Sequence, residues 1–267
     1  MSPHLTFFFV SFACLQAVAH ESGEDAIAQT TARILQHPKE AEPYVRRASL
    51  YLETGDWKAC LADLESAERL RRSGLHRIRA EALLMGHHED HAIAQLKGHE
   101  DADSLWIKAR AEASLGNPGV AAKDCHKALS KLPKPEPDLY LQCADFYCRD
   151  GQEEKALSVL DEGPAIPVIV QKAISLEARR GRMDEALSRL EKLMAISTVK
   201  EPLQAQKASL LAQAGRTSES LKCWEDLVHR IISMTPQARG SQAMSSLLLQ
   251  SSQAIKALRS IVPDQHP

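Results

Sequence analysis

Between Pro43 and Arg72 the apolar positions fall into two stripes of helical period. Tyr44, Ala48, Tyr51 and Leu52 recur at i, i+4, i+7 and i+8, which places them on one face of a first helix. Cys60, Leu61, Leu64 and Ala67 form the stripe of a second helix, which ends in the basic turn Arg69, Arg71, Arg72. Gly55 separates the two, and Asp56 stands where a carboxylate can cap the second helix. The unit predicted is helix, turn, helix. It recurs: Gly55, Gly86, Gly116, Gly151, Gly181 and Gly215 are spaced by 31, 30, 35, 30 and 34 residues. A period in the low thirties is the mark of one supersecondary unit copied and stacked, and nothing in the chain alternates like a strand.

The other positions can be set in register with these glycines. The first copy carries Tyr44, Ala48, Tyr51, Gly55, Cys60, Leu64 and Ala67. The third has Leu105, Ala109, Gly116, Ala121, Ala128 and Pro133, with Glu112 where the pattern asks for an aromatic. The fourth has Tyr140, Ala144, Tyr147, Gly151, Ala156 and Leu160, with Gly163 in a small-residue position. The sixth offers Ala208, Leu211, Gly215, Ser220, Trp224 and Leu227. Two copies are looser. The second has Ala80, Leu83, Ala92 and Leu96 with its glycine one place early, and the fifth has Gly181, Ala186 and Leu190 with Glu177 at the aromatic position. This spacing resembles the tetratricopeptide repeat (TPR) family, over about residues 41 to 232. The resemblance implies an all-α solenoid of about six antiparallel helix pairs that binds protein or peptide on the face of the first helices.

Physics accounts for the small positions. Helices of about 12 residues are marginal alone, so each must bury its stripe against neighbours, and alanine at a crossing point lets two backbones approach. Pro43, Pro137 and Pro202 mark starts of first helices, and Pro118 follows a candidate cap, Asn117. Ala26 to Leu35 predicts an N-terminal capping helix. Pro236 opens a C-terminal stretch in which Met244, Leu247, Leu248, Ile255, Leu258 and Ile261 can cover the last repeat while Ser241, Gln242, Ser245, Ser252 and Gln253 face water. The alternative for that stretch is a homodimer face. The organisation expected is therefore a segment 1–19, a cap over 20–40, repeats over 41–234, and a cap and tail over 235–267.

Composition adds exclusions. The chain of 267 residues is 44% hydrophobic, 25% charged and only 4% aromatic, with a formal net charge of −2. That balance argues against general nucleic-acid binding, which needs a basic surface. The local exception, Arg69, Arg71, Arg72, Arg77 and Arg79, is either a solvated face or an acidic-partner site. The first 19 residues differ from the rest. Leu5 to Cys14 is almost unbroken apolar and too short to span a bilayer, and Ala17-Val18-Ala19 before His20 fits a small-x-small cleavage site. A secretory signal peptide and an extracytoplasmic (periplasmic or secreted) protein are expected; lipidation at Cys14 and retention of the segment are the alternatives. No later stretch is expected to cross a membrane. Cys60 and Cys125 fit packing positions, and Cys143 and Cys148, five apart on one helix, are poorly placed for a local disulfide.

No constellation for catalysis stands out: there is no phosphate loop, Cys-x-x-Cys pair, nucleophile elbow or His-Glu-x-x-His pair. No catalytic residue and no cofactor are expected. A weak metal candidate is His87 with His91, four apart, followed by His99, Glu100 and Asp101, against the plainer reading of a polar turn. The family's binding positions, carried over by register, hold Val45, Ser49 and Leu52; Arg77, Glu81 and Leu84; Trp106, Arg110 and Ala113; Leu141, Asp145 and Cys148; Gln171 and Ser175; then Ala205, Ser209 and Ala212. Arg77, Glu81, Trp106, Arg110, Leu141 and Asp145 are the partner-binding residues this implies. Trp106 can equally be a core residue. The lysine and asparagine clamp for chaperone peptides is absent from these positions.

Overall fold

Two prolines in the link Leu132 to Glu136, Pro133 and Pro135, stop one helix before Pro137 starts the next, because the residue ahead of a proline is driven out of the α region. The chain divides there into two compact units, one up to Pro135 and one from Glu136. The computed structural model describes residues 23–261, and all of the regular structure in them is helical. The proposed signal segment, with Cys14 and the Ala17-Val18-Ala19 site, lies outside the described residues.

In the first unit, α1 (residues 23–36) precedes three helix pairs: α2 (Glu42–Thr54) with α3 (Trp57–Arg69), α4 (His76–Met85) with α5 (Glu89–Gln95), and α6 (Ala102–Ser114) with α7 (Pro118–Lys131). The second unit holds α8 (Pro137–Arg149) with α9 (Glu153–Glu162), α10 (Pro167–Arg179) with α11 (Met183–Ile196), and α12 (Glu201–Gln213) with α13 (Thr217–Ile232). The short α14 (Pro236–Arg239) and the long α15 (Gln242–Ile261) follow. The fold is an all-α, TPR-like solenoid of six helix pairs with capping helices.

The small residues occupy the crossing points. Ala48, Cys60 and Ala67 are fully buried in the first pair, Ala80 and Ala92 in the second, Ala109, Ala121 and Ala128 in the third, Ala144 and Ala156 in the fourth, and Ala186 in the fifth. In the sixth pair, Ser220 takes such a position, and its hydroxyl donates to the Ala208 carbonyl at 2.7 Å, so a buried polar atom is satisfied across the pair. Around these points the large side chains interdigitate. Leu64, Leu96, Leu105, Ile174, Leu190 and Leu227 are among the largest fully buried, each contributing about 1.5 to 3 kcal/mol. All five described cysteines are free thiols, with Cys60, Cys125 and Cys143 buried.

Local signals mostly act as expected. Gly55 ends α2 in the left-handed region at φ 87°, and the Asp56 carboxylate accepts from the Ala59 amide at 3.0 Å to open α3. Asn117 makes no such cap; its side-chain amide donates to Glu112 at 2.8 Å instead. Gly163 lies just past the end of α9, where an added Cβ would meet Ile169 at 3.1 Å and Tyr140 at 3.2 Å. The C-terminal stretch is two helices, broken at Gly240 and Ser241, and the apolar side of α15 packs on α13 and α12 through Met244, Leu247, Leu248, Ile255 and Leu258. No helix among the described residues is long and apolar enough to cross a membrane.

The early glycine of the second repeat has a specific cause. Gly86 is right-handed at φ −82°, and its neighbour His87 takes the left-handed conformation at φ 58° that glycine adopts in the other turns. A Cβ on Gly86 would sit 2.8 Å from the Trp57 ring, so glycine is held there by a close approach and not by a turn. Gly86→Ala is expected to cost about 1 to 3 kcal/mol by overpacking, whereas His87→Gly should stabilise by about 1 kcal/mol by relieving left-handed strain. Urea midpoints of the two variants test both signs.

Candidate functional site

The first helices of the pairs turn one stripe into the core and leave a polar stripe outside. In the first unit that stripe begins at Arg77 on α4, whose guanidinium is paired with Asp103 on α6. One turn on, Glu81 accepts from Arg110 Nη1 at 2.9 and 3.0 Å. Asp103, Trp106 and Arg110 share a face of α6 by helical spacing, and Trp106 is half-buried there. The structure thus brings Arg77, Glu81, Trp106 and Arg110 together on α4 and α6, with both cations matched by carboxylates. Leu84, expected on the same surface, belongs to the core of the second repeat, and Ala205 to that of the sixth. In the wider arginine cluster, Arg72 pairs with Glu42 at 3.6 Å and Arg79 with Glu68 at 2.8 Å.

The second unit presents a different surface. A cleft of about 620 Å³ is lined by Asp145, Cys148 and Arg149 of α8 and by Lys172, Ser175, Leu176 and Arg179 of α10. Lys172 pairs with Asp145, Arg179 lies 4.0 Å from Glu153 and from the Cys148 thiol, and the lining holds three cations against one carboxylate. Burial pushes the Cys148 thiol up, against the pull of Arg179 and Lys172. Leu141 lies half-buried on α8 and does not line this cleft. Register reasoning reached Asp145, Cys148 and Ser175 but missed Lys172 and Arg179, which lie one place beyond a family binding position and one turn past Ser175.

Two charge networks, one largely buried and one with a single buried member, link successive helices. Arg47 on α2 donates from Nε and Nη2 to Asp63 on α3 at 2.7 and 2.8 Å, and from Nη1 to the Thr31 hydroxyl of α1 at 2.9 Å. In the second unit Arg189 of α11 donates to both oxygens of Asp161 at 2.6 and 3.1 Å and from Nε to Glu177 at 2.7 Å. The Asp161 hydrogen bonds first, and Glu177 after them, raise the Arg189 guanidinium above its ordinary value. Glu177, only 4% exposed, is the residue standing in the fifth repeat's aromatic position. It and Arg189 also line a cleft of about 830 Å³ with Asp184, Glu185, Lys192 and Ile196.

The metal candidates do not assemble as the sequence suggests. His87 lies outside α5 on its left-handed turn, with 91% of its side chain exposed, while His91 is on the helix, so the pair lacks a shared helical face. His88 packs edge-on against Trp57 instead, with ring centroids 5.2 Å apart. His99 and Asp101 of the same stretch meet a residue that spacing alone did not connect to them, His76 at the start of α4; their ligand atoms lie within 4.8 Å of one another. No sequence signal links His76 to His99, because the contact depends on how the second repeat closes against α6.

The chain falls in the class of TPR-like helical-repeat folds. It superposes on the C-terminal part of a TPR repeat-containing protein from Cytophaga hutchinsonii with a TM-score of 0.61 and 15% identity, covering 82% of this chain and 94% of that one. The Naa15/Naa10 structure bound to HypK-THB gives 0.50 at 15% identity over 92% of this chain, which spans 40% of that chain. A tetratricopeptide repeat protein from Parabacteroides merdae gives 0.48 at 14% identity, covering 89% and 95%. Residues 168–234 match the family model of the bacterial transcriptional activator domain. No curated protein matches the chain.

Two expectations follow, one from the Arg189 network and one from the cap of α6. Arg189→Leu strands the buried Glu177 charge and should cost about 3 to 5 kcal/mol, most of it recovered on adding Glu177→Leu; urea unfolding of the single and double variants measures the coupling. Asp101, the cap of α6, accepts from the Ser104 hydroxyl at 2.7 Å and the Ser104 amide at 3.0 Å, and these bonds hold its carboxyl below the usual range. A depressed folded value means the stabilisation is complete above the unfolded carboxylate pKa and is lost as pH falls through the folded one. Asp101→Ala should lower stability by about 1 kcal/mol at neutral pH and much less once the carboxyl is protonated.

Proposed function

We propose that this protein is a non-catalytic scaffold that binds a protein or peptide partner on the faces of its first helices. The observation that carries the reading is the cleft on α8 and α10, where Arg149, Lys172 and Arg179 outnumber the single carboxylate of Asp145. A groove of that charge beside the apolar Leu176 suits an extended acidic peptide, whose carboxylates accept hydrogen bonds from lysine and arginine. The face of α4 and α6 supplies a second, charge-balanced contact, with the half-buried Trp106 beside the Arg110–Glu81 pair as its aromatic anchor. The α15 helix serves as the end cap in this reading and not as a homodimer face, since its apolar side is already engaged.

Export to the cell envelope with cleavage after Ala19 is the location we propose, supported by the apolar run Leu5 to Cys14 and the small-x-small sequence Ala17-Val18-Ala19. A second reading rests on the match of residues 168–234 to the bacterial transcriptional activator domain: the same helix pairs would serve a regulator that keeps Met1. N-terminal sequencing of native protein separates them, because a chain beginning at His20 supports export and an intact start supports the regulator.

The binding surface is tested by affinity capture from the native host. Lys172→Glu with Arg179→Glu should remove at least nine-tenths of the captured partner at unchanged helicity, and bound partner should shield Cys148 from alkylation while Cys223 keeps its rate. Equal recovery by the charge-reversed variant would sink the assignment of this cleft.

A further inference from the structure

We propose that His76, His99 and Asp101 form a binding site for a divalent transition-metal ion that fastens the segment after α5 to the start of α4. The three residues come from two places in the chain. His76 is the first residue of α4, and His99 and Asp101 lie two apart in the link between α5 and α6. One ligand atom from each lies within 4.8 Å of the others. Two imidazole nitrogens and a carboxylate oxygen make a donor set that Zn²⁺ accepts, with water completing a tetrahedron. Such an ion, with bonds of about 2.0 to 2.1 Å, sets its donors about 3.3 Å apart. The half-buried imidazoles and the exposed carboxylate have solvent on one side, so side-chain rotation can close that difference.

The histidines are already together. Their rings stack with centroids 3.7 Å apart and planes 11° from parallel. Lone pairs of parallel rings do not converge, so binding requires the rings to fan open, and the stack is the metal-free resting arrangement. Stacking of this kind suits neutral imidazoles, the form that ligates metal. Burial, followed by the presence of His99, keeps His76 below its ordinary value.

The surrounding bonds orient the ligands. The Ser104 amide and hydroxyl each donate to one oxygen of Asp101, and each oxygen keeps a lone pair for an ion. Lys108 Nζ donates to the His99 carbonyl at 3.1 Å, which fixes the backbone of the second ligand. Arg77, the cation next to His76, is turned to Asp103.

The place also suggests the purpose. The α5 helix has seven residues, the fewest of any helix in the six pairs, and buries Ala92 alone along its length. A metal bridge from the end of that pair to its beginning supplies a tie where packing is thin.

The test is calorimetric titration of Zn²⁺ into the full chain, with Co²⁺ absorption as a direct readout of the ligand field. One saturable site at micromolar concentration is expected. It should weaken at least tenfold in His99→Ala, in His76→Gln and in Asp101→Asn, the last of which keeps a capping side chain on α6. The double variant His87→Ala with His91→Ala should bind as the parent does, and the ring resonances of His76 and His99 should shift together on Zn²⁺ addition. Absence of saturable heat overturns the proposal. So does binding that survives loss of both His76 and His99, or that disappears with His87 and His91.

Discussion

The distance between paired helices governs this molecule. Where Ala48, Cys60 and Ala67, or Ala109, Ala121 and Ala128, lie at zero exposure, two backbones come close enough for Leu64 and Leu105 to fill the space beside them. These positions are sealed from solvent, so a larger residue there would have to displace its neighbours and would cost about 1 to 3 kcal/mol. Turn and cap chemistry serve this approach. Gly55 and Asp56 stop α2 and start α3 within two residues, which returns the chain before the pair can splay.

Where that packing rule is relaxed, charge takes its place. Glu177 occupies a position that an aromatic ring would fill by contact, yet it is buried and held by Arg189, which also grips Asp161 on α9. One guanidinium therefore ties three successive helices of the second unit. Arg47 does the equivalent in the first unit, joining α1, α2 and α3 through Thr31 and Asp63. Such pairs give little net stability over apolar packing. Their geometry is directional, however, and a bidentate fork fixes the register of the helices it joins more tightly than a slippery leucine contact.

Much of the fold was legible because the small residues and turn glycines act within one repeat. Six helix pairs, and helical stretches before and after them, follow from the spacing of glycines, prolines and small residues. The failures are side-chain contacts and backbone conformations that spacing does not encode. The Gly86 offset could be seen, but its cause is the Trp57 ring, 29 residues earlier. Asn117 had the right chemistry for a cap, and Glu112 took its side-chain amide instead. For the candidate sites, register named Asp145 and Arg110 but supplied neither their ion pairs nor Lys172, which meets Asp145 only because α10 lies beside α8. His91 and His87 look like ligands in sequence because four is a helical spacing; a left-handed residue at His87 ends that periodicity.

The two repeats that fit the pattern worst are also the ones that carry the most chemistry. The second has a shortened helix, a displaced glycine and the His76, His99 and Asp101 cluster. The fifth has a buried acid in place of a ring, the Arg189 network, and Lys172 and Arg179 on its first helix. A repeat stack has a reason to concentrate function this way. Its stability is close to a sum of repeat and neighbour terms, so a weak repeat is carried by better-packed neighbours. A residue that no longer has to fill a crossing point can then be polar, and in the second repeat, where α5 buries Ala92 alone along its length, polar residues lie where an ion can reach them. The proposed binding surfaces join both kinds of repeat: Trp106, Arg110, Asp145 and Arg149 lie on the regular third and fourth, and Glu81, Lys172 and Arg179 on the irregular second and fifth.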